Sequence, residues 1–153
     1  MKKRESILTD LKKRFTFFNY IIFFLICLSF LYGFYIQEDS SGGAVDFSAY
    51  YNNFKLFYGN NFLQVDWSKY QSSSLPLYYV VTYFFYNPDN LILIKIFNLL
   101  LSFFCFFIFY IILKNYLNIN NSLALLLSSL ILLSPYFRTG TFWMMEENFP
   151  VFM

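Results

Sequence analysis

The sequence predicts an all-α membrane protein with several transmembrane helices and with amphipathic helices at the membrane interface. Of its 153 residues, 58% are hydrophobic and 25% are aromatic, whereas only 13% are charged. Apolar runs of about twenty residues, the length that a helix needs to cross a bilayer, occur more than once. These properties exclude an ordinary soluble domain, and they exclude disorder because disordered segments are polar and poor in aromatic residues.

The residue types that are present also limit the chemistry. The sequence contains no histidine. This excludes a histidine general base, a Ser-His-Asp triad and a histidine-ligated metal. Cys27 and Cys105 both lie inside apolar runs, where a cysteine behaves as a small hydrophobic residue. Any reaction must therefore use carboxylates, hydroxyls, arginine, lysine or a thiol.

The N-terminal region predicts a cytoplasmic anchor followed by a first span. Six of the eleven basic residues lie in the basic arm, residues 1–14, and the first span follows at 15–36. A basic arm can bind nucleic acid, but one that is joined directly to an apolar run is typical of the positive-inside rule. The run ends in aromatic residues rather than in a cleavage site. We therefore expect an uncleaved helix in an inner (cytoplasmic) membrane, a cytoplasmic N-terminus and no nucleic-acid partner.

Two further spans are predicted after a long outer loop. Residues 91–113 return the chain to the cytoplasmic side, where 114–121 form a short loop. The third span is expected at 122–143, with a bend at Pro135, because its purely apolar part is too short to cross. Residues 144–153 are then an outer loop and the start of a fourth span.

The outer loop, residues 37–90, is too long and too aromatic for a simple linker. Its aromatic residues recur at helical spacing and predict a surface helix of about twelve residues. They are Phe47, Tyr50, Tyr51, Phe54 and Tyr58. This helix either lies on the membrane or packs over the spans, and the two interpretations are compatible. A second interfacial helix is predicted over residues 75–86, with Pro76 near its first turn.

The loop begins with an acidic, glycine-containing segment, residues 38–46. In this topology seven of the nine acidic residues lie on the outer side. Asp46 is expected at the N-terminal cap or in the first turn of the surface helix. One interpretation is a solvated turn and a helix cap. The other is a carboxylate, Asp46 or Asp39, that acts as a general base at the membrane surface.

The order of these features resembles the GT-C class of membrane glycosyltransferases, which includes protein mannosyltransferase and aminoarabinose transferase types. The resemblance covers most of the chain. It depends on the first span with its large outer loop, on the early acid (Asp39 or Asp46), and on two short segments. These are Pro-Leu-Tyr-Tyr at 76–79 and Ser-Pro-Tyr-Phe-Arg-Thr at 134–139. The class has more spans than this chain shows, so the resemblance is to its N-terminal portion.

The resemblance implies a reaction and a set of roles. A hexosyl or pentosyl unit moves from a polyprenyl-phosphate donor to an acceptor hydroxyl at the outer membrane face. Asp46 is the first candidate for the base and Asp39 the second, while Arg138 binds the donor phosphate. Glu146 and Glu147 orient the acceptor or, with Asp39, hold a divalent cation such as Mg²⁺ or Mn²⁺.

A non-catalytic function is the main alternative. The chain would then be a small membrane scaffold, or an accessory subunit of a transporter or envelope complex. Helix interfaces in membranes favour small residues, which these spans mostly lack. A flippase or polymerase fragment shares the topology, but the span centres are almost free of charge. Besides membrane lipid and the donor, expected partners are the missing C-terminal part or another membrane protein.

Overall fold

A computed structural model describes residues 2–58, 64–70, 76–85 and 90–145, and the side chains from residue 13 onward. Within these ranges the chain forms helices and turns and no strand, as the sequence predicts. Six α-helices follow in order: α1 (Lys2–Ile36), α2 (Gly43–Tyr58), α3 (Leu77–Thr82), α4 (Ile92–Asn115), α5 (Asn121–Ser129) and α6 (Pro135–Phe142). Three 3₁₀ turns accompany them: Trp67–Lys69, Tyr83–Phe85 and Leu130–Leu133.

Among the described helices, two are long and apolar enough to cross a membrane, which indicates a membrane protein. The apolar part of α1, Lys13–Ile36, and the whole of α4 each have 24 residues. A helix of that length extends about 36 Å, more than the hydrocarbon thickness of a bilayer. The first two predicted spans thus correspond to helices of suitable length. Helix α1 also continues back through the basic arm to Lys2.

The third predicted span is divided into two helices that meet at a sharp angle. Helix α5 and its 3₁₀ turn end at Leu133, and α6 leaves at 66° to them. The break occurs at Ser134 and Pro135, because proline has no N–H to continue the ladder and Ser134 Oγ accepts from Phe137 N of the new helix. The bend at Pro135 is therefore present, and the pair is either one broken span or a re-entrant loop. Residues 149–153, the expected start of a fourth span, lie outside the described residues.

Helices α5 and α6 lie against both long helices and join them. Helix α5 packs on α1 and α4, and α6 contacts the same two helices further along. Two side-chain hydrogen bonds reinforce this packing: Asn19 Nδ2 donates to Ser122 Oγ at 3.4 Å, and Ser102 Oγ lies 2.6 Å from Thr141 Oγ1. Such bonds between membrane helices contribute about 0.6 kcal/mol each on average.

Helix α2 packs against α3 and the 3₁₀ turn that follows it, Tyr83–Phe85, instead of lying free on a surface. It begins at Gly43, four residues before the predicted aromatic face. Phe54 and Phe57 are buried, whereas Tyr58, which the sequence places on the apolar face, is exposed. Asn53 is also buried and donates to Tyr79 Oη at 3.2 Å, although the aromatic spacing places it off that face. The apolar face of α2 thus packs mainly against α3 and the 3₁₀ turn that follows it, and both interpretations of this helix stay predictions.

Tyr78 of α3 joins this helix to α4 and to the residues that follow α6. Pro76 precedes its first turn, as the sequence predicts. The buried Tyr78 hydroxyl accepts from Asn98 Nδ2 of α4 at 2.7 Å and donates to Met144 O at 3.0 Å. The Tyr78 hydroxyl therefore donates one hydrogen bond and accepts another, and the two bonds fix α3 to α4 and to the chain just after α6.

Between α2 and α3, Asp66 begins an exposed 3₁₀ turn. The Ser68 hydroxyl donates to Asp66 Oδ1 at 2.6 Å, and Lys69 Nζ lies 3.1 Å from Asp66 Oδ2. The hydrogen bond from the Ser68 side chain, followed by that from Lys69, lowers the pKa of the Asp66 carboxyl. Asp66 is thus an exposed acid whose partners, Ser68 and Lys69, lie within its own turn.

Candidate functional site

The centre of the candidate site is an ion pair between Glu38 and Arg138, which are 100 positions apart in the chain. Arg138 lies in α6, and its Nη2 donates to Glu38 Oε2. The arginine side chain is 7% exposed and the glutamate side chain 33%. The pair therefore connects the end of α1 to the second half of the bent helix pair, and it neutralises a buried cation.

The backbone after α1 turns so that Glu38 reaches this position. Glu38 N donates to Gly33 O at 2.9 Å and Gln37 N donates to Phe34 O at 3.3 Å, while Gln37 has a φ of 52°. This is the Schellman pattern of helix ends, with glutamine in the left-handed position that glycine usually occupies. The turn satisfies the last carbonyls of α1 and brings Glu38 beside its final turns.

The remaining contacts of Arg138 come from α1 and from the preceding 3₁₀ turn. Nη2 also donates to Ser29 O at 3.0 Å, and Nη1 lies 3.4 Å from both Ser29 Oγ and Leu132 O. The guanidinium carbon is 5.9 Å from the centre of the Phe30 ring and 5.5 Å from that of Phe142, within cation–π range. Nε is buried and has no acceptor among the described residues.

Gly33 allows the ion pair to lie directly against α1. A β-carbon at this position would be 2.6 Å from Glu38 Oε2 and 2.9 Å from Phe142 Cε2, and closer still to the Arg138 guanidinium. These separations are shorter than van der Waals contact. A side chain at position 33 would therefore require the ion pair or the Phe142 ring to move.

A second contact holds the start of α2 against α6. Trp143 Nε1 donates to Glu38 O at 3.2 Å, and Ser40 Oγ lies 3.4 Å from Thr139 Oγ1. A β-carbon on Gly43 would be 2.5 Å from Thr139 Cγ2 and 2.6 Å from Trp143 Cδ1. The acidic segment is thus held along α6 at both of its ends.

The close approach at Gly43 gives a testable prediction. Gly43→Ala is expected to push α2 away from Trp143 and to lower the free energy of unfolding by about 1–3 kcal/mol, the usual cost of overpacking. Ala44→Ser, which adds one heavy atom at an exposed position of the same turn, is the control and should cost little. Unfolding in mixed micelles, followed by tryptophan fluorescence in a Trp67→Phe background so that Trp143 alone reports, measures both. Equal stabilities for the two variants would show that the Gly43 contact is not tight.

Asp39, the second candidate base, is occupied as a helix cap. Its Oδ1 accepts from Gly43 N at 2.5 Å and its Oδ2 accepts from Ala44 N at 3.1 Å. The first N–H groups of a helix have no partner within it, and a carboxylate there is favoured by the helix dipole. Both oxygens of Asp39 therefore have a structural use, which favours the cap over the base at this position.

Asp46, the first candidate base, is the available carboxylate of the segment. It lies in the first turn of α2, as expected, and it is exposed. Within the described part of the chain its carboxylate makes no hydrogen bond or ion pair. Gly43 and Phe47, which flank it, both contact Trp143, so Asp46 is about one helical turn from the contact with α6.

The predicted acceptor or metal residues cannot be placed in this site. Glu146 and Glu147 lie outside the described residues. Among those that are described, no group of three or more His, Cys, Asp or Glu side chains is positioned to hold a metal ion. The divalent cation thus stays a prediction of the resemblance.

Sequence reasoning did not identify Glu38 or Trp143 as parts of the site. Glu38 was visible as an acid at the end of the first span, but its partner lies in another helix and no local pattern joins them. The signal that was available is electrostatic. An arginine in an apolar region needs a nearby acid, and Glu38 is one of the few acids that lie at the end of a span.

Comparison with protein-family models, with curated proteins and with solved structures finds no match to this chain. The chemistry of the described side chains therefore carries the functional inference, together with the resemblance in the order of sequence features.

Proposed function

We propose that this chain supplies outer-face residues of an integral membrane glycosyltransferase, which transfers a sugar from a polyprenyl-phosphate donor to an acceptor hydroxyl. One observation carries the proposal. The acidic segment is fixed to α6 by the Glu38–Arg138 pair, and the Asp39 cap fixes its turn into α2. Asp46, in the first turn of α2, is exposed and has no partner among the described residues. A general base needs a carboxylate that the acceptor can reach and that rigid surroundings hold in place.

In the proposed reaction Asp46 removes the proton of the acceptor hydroxyl. The hydroxyl oxygen attacks the anomeric carbon and forms the new glycosidic bond with inversion. The bond between that carbon and the phosphate oxygen breaks, and the polyprenyl phosphate leaves as an anion. The proton stays on Asp46 until it passes to water.

The role of Arg138 in this reaction differs from the one that the resemblance implies. Its charge is already compensated by Glu38, so a donor phosphate has to compete with that carboxylate or to add at the Nε–H, which has no acceptor among the described residues. A bidentate contact between phosphate and guanidinium is a strong charge-assisted interaction, and in this scheme it replaces the contact with Glu38. Asp39 takes the structural role of cap, and Glu38 is the counterion of Arg138.

A scaffold function is the second candidate, and a specific observation favours it. Glu38, Asp39 and Arg138 are all engaged in intramolecular contacts that hold α1, α2 and α6 together. Those contacts are sufficient to explain why the three residues are there. The two candidates differ at Asp46, which a scaffold does not need.

The proposal is tested with membranes that contain the chain and membranes that lack it. Both are supplied with radiolabelled polyprenyl-phosphate hexose and, separately, with the corresponding pentose donor. A glycosyltransferase releases polyprenyl phosphate and moves the label to an acceptor only where the chain is present. Equal release from the two kinds of membrane with both donors contradicts the proposal and favours the scaffold.

A further inference from the structure

An apolar groove lies between α4 and the helix pair formed by α5 and its 3₁₀ turn. Its volume is about 710 Å³. Its lining residues are all apolar or weakly polar: Cys105, Ile108, Phe109, Ile112, Leu113, Leu127, Leu130 and Ile131. Phe109, Ile112 and Leu130 are each more than two-fifths exposed, so the groove opens sideways, toward the surface that faces lipid.

The groove occupies the half of the bundle that adjoins the basic residues. From Cys105 to Leu113 it follows α4 for about 12 Å, close to the depth of one hydrocarbon leaflet. Lys114 comes directly after Leu113, is exposed, and lies with Nζ 5.9 Å from the centre of the Tyr110 ring. The hydrogen bond from Asn19 to Ser122 places the start of the apolar part of α1 at the same end.

The lining favours a flexible chain over a helix as the occupant. Helices that pack in membranes approach through glycine, alanine, serine or threonine, and none of these lines the groove. Branched aliphatic side chains and a phenylalanine form its walls instead. An acyl chain can follow such an irregular apolar surface, because each of its methylene units rotates independently.

We infer that this groove binds one acyl chain of an anionic phospholipid, taken from the leaflet on the basic side, with the lipid phosphate at Lys114. The charge of that residue matches an anionic headgroup, and basic side chains at this end of α1, Lys13 and Arg14, are exposed as well. The site lies at the end of the bundle opposite Asp46 and does not depend on the proposed glycosyl transfer.

The test is native mass spectrometry of the full chain in detergent, offered equal amounts of phosphatidylglycerol and phosphatidylcholine. The expected result is one retained phosphatidylglycerol, in about fivefold excess over phosphatidylcholine, the effect of one lysine near an anionic surface. Lys114→Gln should remove the preference. Lys55→Gln, on the exposed side of α2, is the matched control and should keep it.

Filling the groove separates this site from general lipid adhesion. Leu127→Trp should abolish retention, whereas Leu100→Trp, at an exposed position of α4 outside the groove, should leave it unchanged. Ile108→Phe fills the groove from the opposite wall, and it replaces Leu127→Trp in this test if that variant does not fold. Equal retention of the two lipids by the unaltered chain would overturn the inference. Equal lipid retention by the filled variants and by Leu100→Trp would also overturn it. A dimer of the unaltered chain that only the filled variants disrupt would overturn it as well.

Discussion

Glu38→Ala is expected to lower the free energy of unfolding by about 3 kcal/mol, at the lower end of the range for breaking a buried ion pair because Glu38 is partly exposed. The loss arises from the arginine that stays behind. Arg138 is almost fully buried, and without Glu38 its charge has no counterion among the described residues. Partners that remain, such as Ser29 O, are neutral and compensate only part of the charge.

The control for this prediction is the double variant Glu38→Leu, Arg138→Leu. Replacing both members of a buried pair with apolar residues is often neutral, because no buried charge is left without a counterion. The double variant should therefore be more stable than Glu38→Ala, when both are unfolded in mixed detergent micelles. Asp66→Ala removes an exposed ion pair and should have a small effect. A Glu38→Ala variant as stable as Asp66→Ala, or a double variant no better than the single one, would show that the pair does not hold α1 to α6.

Under the proposed function, Asp46→Asn is expected to lower sugar transfer at least about 100-fold, the smaller end of the contribution of a general base. Asparagine has nearly the same shape but does not accept a proton. Stability should change little, because Asp46 is exposed and its one structural contribution is a first-turn charge, which is worth about 0.3–1 kcal/mol. Transfer is measured as release of polyprenyl phosphate, and stability is measured in parallel on the same preparations.

Two variants separate a catalytic carboxylate from a general loss of acidic charge. Asp46→Glu keeps a base on the same turn and should retain part of the activity. Asp66→Asn removes a different outer-loop carboxylate and should retain nearly all of it. If Asp46→Asn transfers sugar as fast as Asp66→Asn, Asp46 is not the base.

Local patterns in the sequence predicted the helices well. Hydropathy located the two long helices, because twenty or more consecutive apolar residues have few alternatives to a membrane helix. Helix α5 starts at Asn121, one residue before the predicted start of the third span, and the Asn120 side chain caps it by accepting from Ser122 N at 2.8 Å. Pro76 and Asp46 likewise lie where a first helical turn was expected. Each of these features depends on residues only a few positions apart.

Features that depend on tertiary contact were not predictable in the same way. Pro135 indicated a bend, but its 66° angle follows from how α6 packs between α1 and α4. Asn53 lies off the aromatic stripe and is buried because Tyr79 of α3 provides a partner. The roles of Gly33 and Gly43 likewise become visible only when α6 is seen against them. Long-range contacts decide all of these positions.

The most direct test of this account is the location of Asp46 and Lys114 relative to the membrane. The account requires α4 to separate them. Single cysteines are introduced as Asp46→Cys or Lys114→Cys in a chain that carries Cys27→Ala and Cys105→Ala, and intact cells are treated with a membrane-impermeant maleimide. We expect Asp46→Cys to be labelled in intact cells, and Lys114→Cys to be labelled only after the membrane is permeabilised. Labelling of both positions from the same side would contradict the account, and with it the proposal of a carboxylate base at the outer face.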